Sequence, residues 1–123
     1  MPAWLWPRMR SSRRPVTPQD CDGNGHLYYL LLPDLACRTA LIEALRDQGI
    51  AAPFHYVPLH SAPAGRRFGR VHGALSVTES CADRLVRLPL WYGMGERQQV
   101  VIDAVRKFLS RVRPFARSRP DFD

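Results

Sequence analysis

Residues 23–50 read GNGHLYYLLLPDLACRTALIEALRDQGI, and this stretch decides the fold class. Gly23-Asn24-Gly25 is a turn signal. Residues 26–32 form an apolar and aromatic run of strand length, closed by Pro33. Asp34 is suited to cap a helix, because its carboxylate accepts the orphan N–H groups of a first turn. That helix runs to about Gln48, with Leu41, Ile42 and Leu45 on one face and Gly49 as its stop. A strand handed directly to an amphipathic helix predicts mixed α and β structure around one core.

Toward the C-terminus, residues 50–57 read as a second short strand, interrupted at Pro53. Residues 58–75, PLHSAPAGRRFGRVHGAL, read as a Gly/Pro/Arg-rich loop. Ser76-Val77-Thr78-Glu79 fits a capping box that opens a short helix to about Val86. Residues 87–91 are another extended run. The last helix, 96–111, stacks Val100, Ala104 and Phe108 beside Val101, Val105 and Leu109. Gly93-Met94-Gly95 stands where a polar cap is usual, at some cost to helix initiation. The order strand–helix–strand–helix–strand–helix predicts an α+β fold with helices packed on one face of a small sheet.

At 123 residues and 46% hydrophobic, the chain suits one folded domain and not wholesale disorder. No run approaches the roughly 20 apolar residues of a membrane span. The opening MPAWLWPRMRSSRR places its charge after the Trp residues, unlike a secretion signal. Three widely spread cysteines, Cys21, Cys37 and Cys81, suit free thiols in a cytoplasmic protein.

The net charge of +7 is concentrated at the ends, +3 over residues 1–20, +2 over 21–110 and +2 over 111–123. Such ends can bind nucleic acid or an acidic partner, but no nucleic-acid-binding signature interleaves with the arginines, so solvated tails are the simpler reading. The chain therefore divides into a poorly ordered segment 1–22 with Trp4 and Trp6 lacking a partner surface, a packed domain 23–110, and an Arg-rich tail 111–123.

The residues with chemistry to offer gather in Phe54-His55-Tyr56-Val57-Pro58-Leu59-His60. Two imidazoles and a phenol supply donors, acceptors and near-neutral proton transfer at a strand-to-loop junction. The plainer alternative is that His55 and His60 hydrogen-bond loop backbone. No two tight ligand pairs exist among His55, His60, His72 and Cys81, so no metal site is expected. A G-x-S-x-G elbow is absent. Gly65, Gly69 and Gly73, with Arg66, Arg67 and Arg70, match neither the P-loop nor the dinucleotide fingerprint.

Several ordered blocks resemble the C-terminal domain of the DegT/StrS-type nucleotide-sugar aminotransferases, in particular the dTDP-4-amino-4,6-dideoxygalactose transaminases. They are GNGHLYY at 23–29, Gly49-Ile50 leading into FHYVPLHS at 54–61, Pro63-Ala64-Gly65 with Phe68-Gly69, Val77-Thr78-Glu79, and RLPLW at 87–91. The resemblance implies the small α+β domain of fold-type I aminotransferases, which packs on a larger domain holding pyridoxal phosphate (PLP). It also implies a cytoplasmic enzyme of polysaccharide biosynthesis acting on a dTDP-sugar, with a large-domain or homodimer partner.

By the same resemblance, His55, Tyr56 and His60 lie toward the sugar nucleotide. Charge alone suggests that Arg66 and Arg67 sit near its diphosphate. The chain departs from the family at the chemistry itself. PLP catalysis needs a lysine for the Schiff base, and the only lysine here is Lys107, in the last helix. No catalytic or cofactor-binding residue is therefore assigned, and the chain is expected to be inactive alone. The alternatives are a small subunit completing the site of a separately encoded PLP domain, or a binding module using the Arg-rich ends.

Overall fold

In a computed structural model, residues 12–112 are described. Their elements run β1 (Tyr28–Leu31), α1 (Leu35–Arg46), α2 (Pro63–Phe68), α3 (Ser76–Arg84), β2 (Leu85–Leu88) and α4 (Arg97–Leu109). Trp4, Trp6 and residues 113–123 of the tail lie outside the described residues.

The strand-to-helix unit forms as its residues dictate. Asp34 is extended at the N-cap, and its Oδ1 accepts from the Cys37 N–H at 2.7 Å. Gly49, at φ +74°, takes the left-handed conformation that ends α1, while the Ile50 N–H reaches back to the Leu45 carbonyl. Leu41 and Leu45 are fully buried, and Ile42 packs partly buried against them. Burial first, and the Asp34 carboxylate second, push the Cys37 thiol above its ordinary range.

β1 and β2 pair antiparallel, with Tyr28 opposite Leu88 and Leu31 opposite Leu85. Along β2 the buried residues are Val86 and Leu88, with Arg87 between them on the other face. α1 packs against α3, α4 and β2, and α4 supplies Val101, Ile102, Ala104, Val105 and Leu109 to the same core. The result is a small α+β domain with a two-stranded sheet and four helices.

Five expectations need correction. Residues 50–57 are not a strand. Only a single bridge, Phe54 to Val86, and the Arg87 N–H to Pro53 carbonyl bond tie them to β2. Pro53 has no N–H to extend a ladder. Residues 58–75 are not all loop, because Pro63 at a helix start seeds α2. Ser76-Val77-Thr78-Glu79 is not a capping box: Leu75 is the N-cap, no side chain caps it, and Glu79 binds elsewhere. In turn, β2 begins at Leu85, not Arg87, because pairing with β1 draws the chain into extended backbone directly after Arg84. Lastly, in α4, Val100 is exposed and Ile102 buried, a rotation of the inward face by part of a turn.

The opposite edge of the sheet is also met. Arg13 exchanges both backbone hydrogen bonds with Leu31, at 2.9 and 2.8 Å.

Gly65 is required by close approach. A Cβ there would stand 1.6 Å from the Leu59 carbonyl oxygen. Gly65→Ala is expected to displace the 58–62 turn while leaving the core folded. Hydrogen exchange should show lost protection at the Ser61 and Ala62 amides, both bonded to the Pro58 carbonyl.

Chemical denaturation separates core from cap. Leu45→Ala should cost about 2–5 kcal/mol, and Asp34→Ala about 1 kcal/mol.

Candidate functional site

Residues 52–62 build the site by leaving β2 in a controlled way. Ala52 is buried in the core, Pro53 and Phe54 lie against β2, and then the chain turns outward. The turn is at Tyr56, whose φ of +52° is left-handed. For a residue with a Cβ this conformation costs roughly 1–2 kcal/mol, so neighbouring contacts must hold it.

Two such contacts exist. The Arg87 guanidinium carbon lies 5.0 Å from the Tyr56 ring centroid, an interaction worth about 0.5–1 kcal/mol at an exposed site. The His55 and Tyr56 rings are 5.1 Å apart and tilted by 54°. Tyr56 itself remains 67% exposed. A parallel arrangement anchors Phe54, two residues before Tyr56. Arg38 on α1 lies over the Phe54 ring at 5.2 Å and donates from Nε to the Asp83 carbonyl at 3.0 Å.

His55, Tyr56, Val57 and Pro58 form one wall of an open groove of about 440 Å³. The opposing wall is α3, with Val77, Thr78 and Cys81, and Leu85 follows it. The groove is predominantly apolar, with ring and hydroxyl groups at its rim: a surface suited to a flat or ring-shaped ligand with a few hydrogen bonds.

His60 is held differently. Its Nε2 is 2.7 Å from Glu79 Oε1, with the imidazole only 17% exposed. This pair ties the 58–62 turn to α3, and the Ser61 hydroxyl donates to the Pro58 carbonyl at 3.1 Å within the same turn. His55 and Tyr56 therefore share the groove wall, while His60 braces the loop behind it.

Two side chains join the site that the sequence does not single out. Glu79 is hidden behind its resemblance to a capping box. Arg87 is signalled by its place as the polar residue between two buried ones in β2 and by the RLPLW block that it opens, neither of which gives it a partner. Arg66 and Arg67 stand exposed in the last turn of α2, with Arg67 over the Phe68 ring at 4.9 Å. His72 is exposed.

Among the described residues no group of three or more His, Cys, Asp or Glu side chains could hold a metal ion, and no helix is long and apolar enough to cross a membrane. The residues present do not fit PLP. Lys107 is exposed in the last turn of α4 and does not line the groove, so no lysine is offered to the cofactor's aldehyde.

Comparison with known proteins identifies the family and the fold. The model of the DegT/DnrJ/EryC1/StrS aminotransferase family matches residues 8–106. The chain is 32% identical over 95 residues to a pleiotropic regulatory protein of Geobacillus stearothermophilus, covering 76% of this chain and 26% of that one. It is 31% identical over 96 residues to the dTDP-3-amino-3,4,6-trideoxy-alpha-D-glucose transaminase of Micromonospora megalomicea subsp. nigra, again 76% against 26%.

Among solved structures, S. venezuelae DesV in complex with a ketimine intermediate superposes with a TM-score of 0.72 at 33% identity. That match covers 84% of this chain and 28% of DesV. The aminotransferase TlmJ from Streptoalloteichus hindustanus gives 0.70 at 27%, covering 81% and 26%. The chain thus spans about a quarter of the length of these relatives. With the match extending over most of its length, from before β1 through most of α4, this chain belongs to the DegT/DnrJ/EryC1/StrS aminotransferase family.

Proposed function

We propose that this chain is the C-terminal domain of a PLP-dependent nucleotide-sugar aminotransferase. The reaction is transfer of an amino group from glutamate to a dTDP-4-keto-6-deoxyhexose, and the chain is inactive by itself. The observation that carries the second half is the position of Lys107, the only lysine, exposed at the end of α4 and outside the groove. The Schiff-base lysine and the cofactor pocket then belong to a larger PLP-binding domain.

The dTDP-sugar named in the Micromonospora relative supports the substrate class, and the ketimine named in the DesV structure supports amino-group transfer. On this reading His55 and Tyr56 present a ring N–H and a phenol to the sugar, fixing its orientation. His60 contributes by holding the turn through Glu79. Apolar contact from the groove wall would exclude water from the sugar face.

The same reading admits a second arrangement, in which this chain is a separate small subunit that completes another polypeptide's site. Phe54, Leu59, Leu90 and Trp91 stay substantially exposed, and Tyr92 is fully so. They offer an apolar surface for a docking domain.

The isolated chain is expected to show no PLP absorbance and no transamination of a dTDP-keto sugar; turnover by it alone would refute the proposal. Mixed with a PLP domain that lacks its own C-terminal quarter, it should restore activity. In that restored enzyme His55→Ala should lower kcat/KM about tenfold, the effect of losing one hydrogen bond. Failure to associate at micromolar concentration would dismiss the two-chain arrangement.

A further inference from the structure

We infer that Arg87 is a positioning residue for Tyr56, setting the substrate-facing wall of the groove from the far side of β2. This deepens the proposed function and rests on Tyr56 facing the sugar nucleotide.

The argument begins with strand alternation. Val86 and Leu88 point into the core, so Arg87 must point to the sheet's other face. A long cation on that face needs a partner, and its Nε is buried with no hydrogen-bond acceptor among the described residues. What it meets is the face of the Tyr56 ring, 5.0 Å away. Arg87 also donates its backbone N–H to the Pro53 carbonyl at 2.9 Å. The same residue thus fixes the start of the segment through its main chain and the ring at its turn through its side chain.

Tyr56 needs such support. It is the only non-glycine residue with positive φ among the described residues, and its ring is mostly exposed. No hydrophobic enclosure holds it in place. A guanidinium held over the ring limits its rotation while leaving the phenol free to donate or accept. Lysine would preserve the charge but not the planar, delocalised group.

The test uses the full chain with labelled tyrosine rings and arginine Nε. In Arg87→Met the Tyr56 ring signals should move toward those of an unrestrained tyrosine, while the methyl signals of Leu30 and Leu45 stay in place. Arg87→Lys should recover part of that displacement. Because Tyr56 is exposed, Tyr56→Leu should fold, and in it the Arg87 Nε–H signal should lose its ring-current shift.

Unmoved Tyr56 signals in a folded Arg87→Met, or an unmoved Nε–H signal in Tyr56→Leu, would overturn the inference. If Arg87→Met does not fold, the Tyr56→Leu measurement decides alone. In the reconstituted enzyme Arg87→Met should raise KM for the keto-sugar nucleotide about tenfold with kcat nearly unchanged. Should the ring signals move while neither Arg87→Met nor Tyr56→Phe alters KM, the substrate role of Tyr56 falls and the support from Arg87 stands.

Discussion

The pairing of β1 with β2 is the constraint on which everything else rests. Each strand has four residues, and the two are joined by α1, α2 and α3. A two-stranded sheet has little stability in water. This one persists because Leu30, Val86 and Leu88 point to a common face that α1 and α4 cover with Leu41, Leu45, Val101 and Val105. Once the register is set, α3 must end at Arg84, and the 53–54 segment finds β2 as its only nearby backbone partner.

The site is built on the side of the sheet that the core does not use. The chain leaves the core at Ala52, runs beside β2 for two residues and turns at Tyr56. Two ionic groups then discipline an otherwise exposed segment, Arg87 under the tyrosine ring and Glu79 against His60. Both come from elements that belong to the scaffold. Placing an exposed segment on side chains of a strand and a helix, and not on other loop residues, keeps it ordered without burying it.

The same economy places the only lysine. The core needs only apolar faces, and α4 supplies one while presenting Lys107 to solvent. A chain of an aminotransferase family thus carries its only lysine on the solvent side of α4 and away from the groove. The exposed Trp91 and Tyr92 come shortly after β2, and no further element among the described residues covers them.

Much of this was legible in the residues themselves. Asp34 before an apolar-faced run and Gly49 after it define α1 because capping and left-handed termination are local chemistry, decided within a few residues. Periodicity likewise located α4 to within two residues at each end. The HYVPLH segment was visible as a concentration of ring side chains. What local chemistry could not decide was partnership. Residues 50–57 have strand composition, yet Pro53 removes the donor a ladder needs there. Glu79 sits at capping-box spacing, yet His60, distant in sequence, is the partner it finds. Arg87 looked like one charged residue among many, and only the strand register shows that it lies beneath Tyr56. Helix ends and apolar faces depend on neighbours along the chain, so sequence determined them. The groove, its braces and the support for its tyrosine depend on which distant residues meet, and the tertiary structure alone decided that.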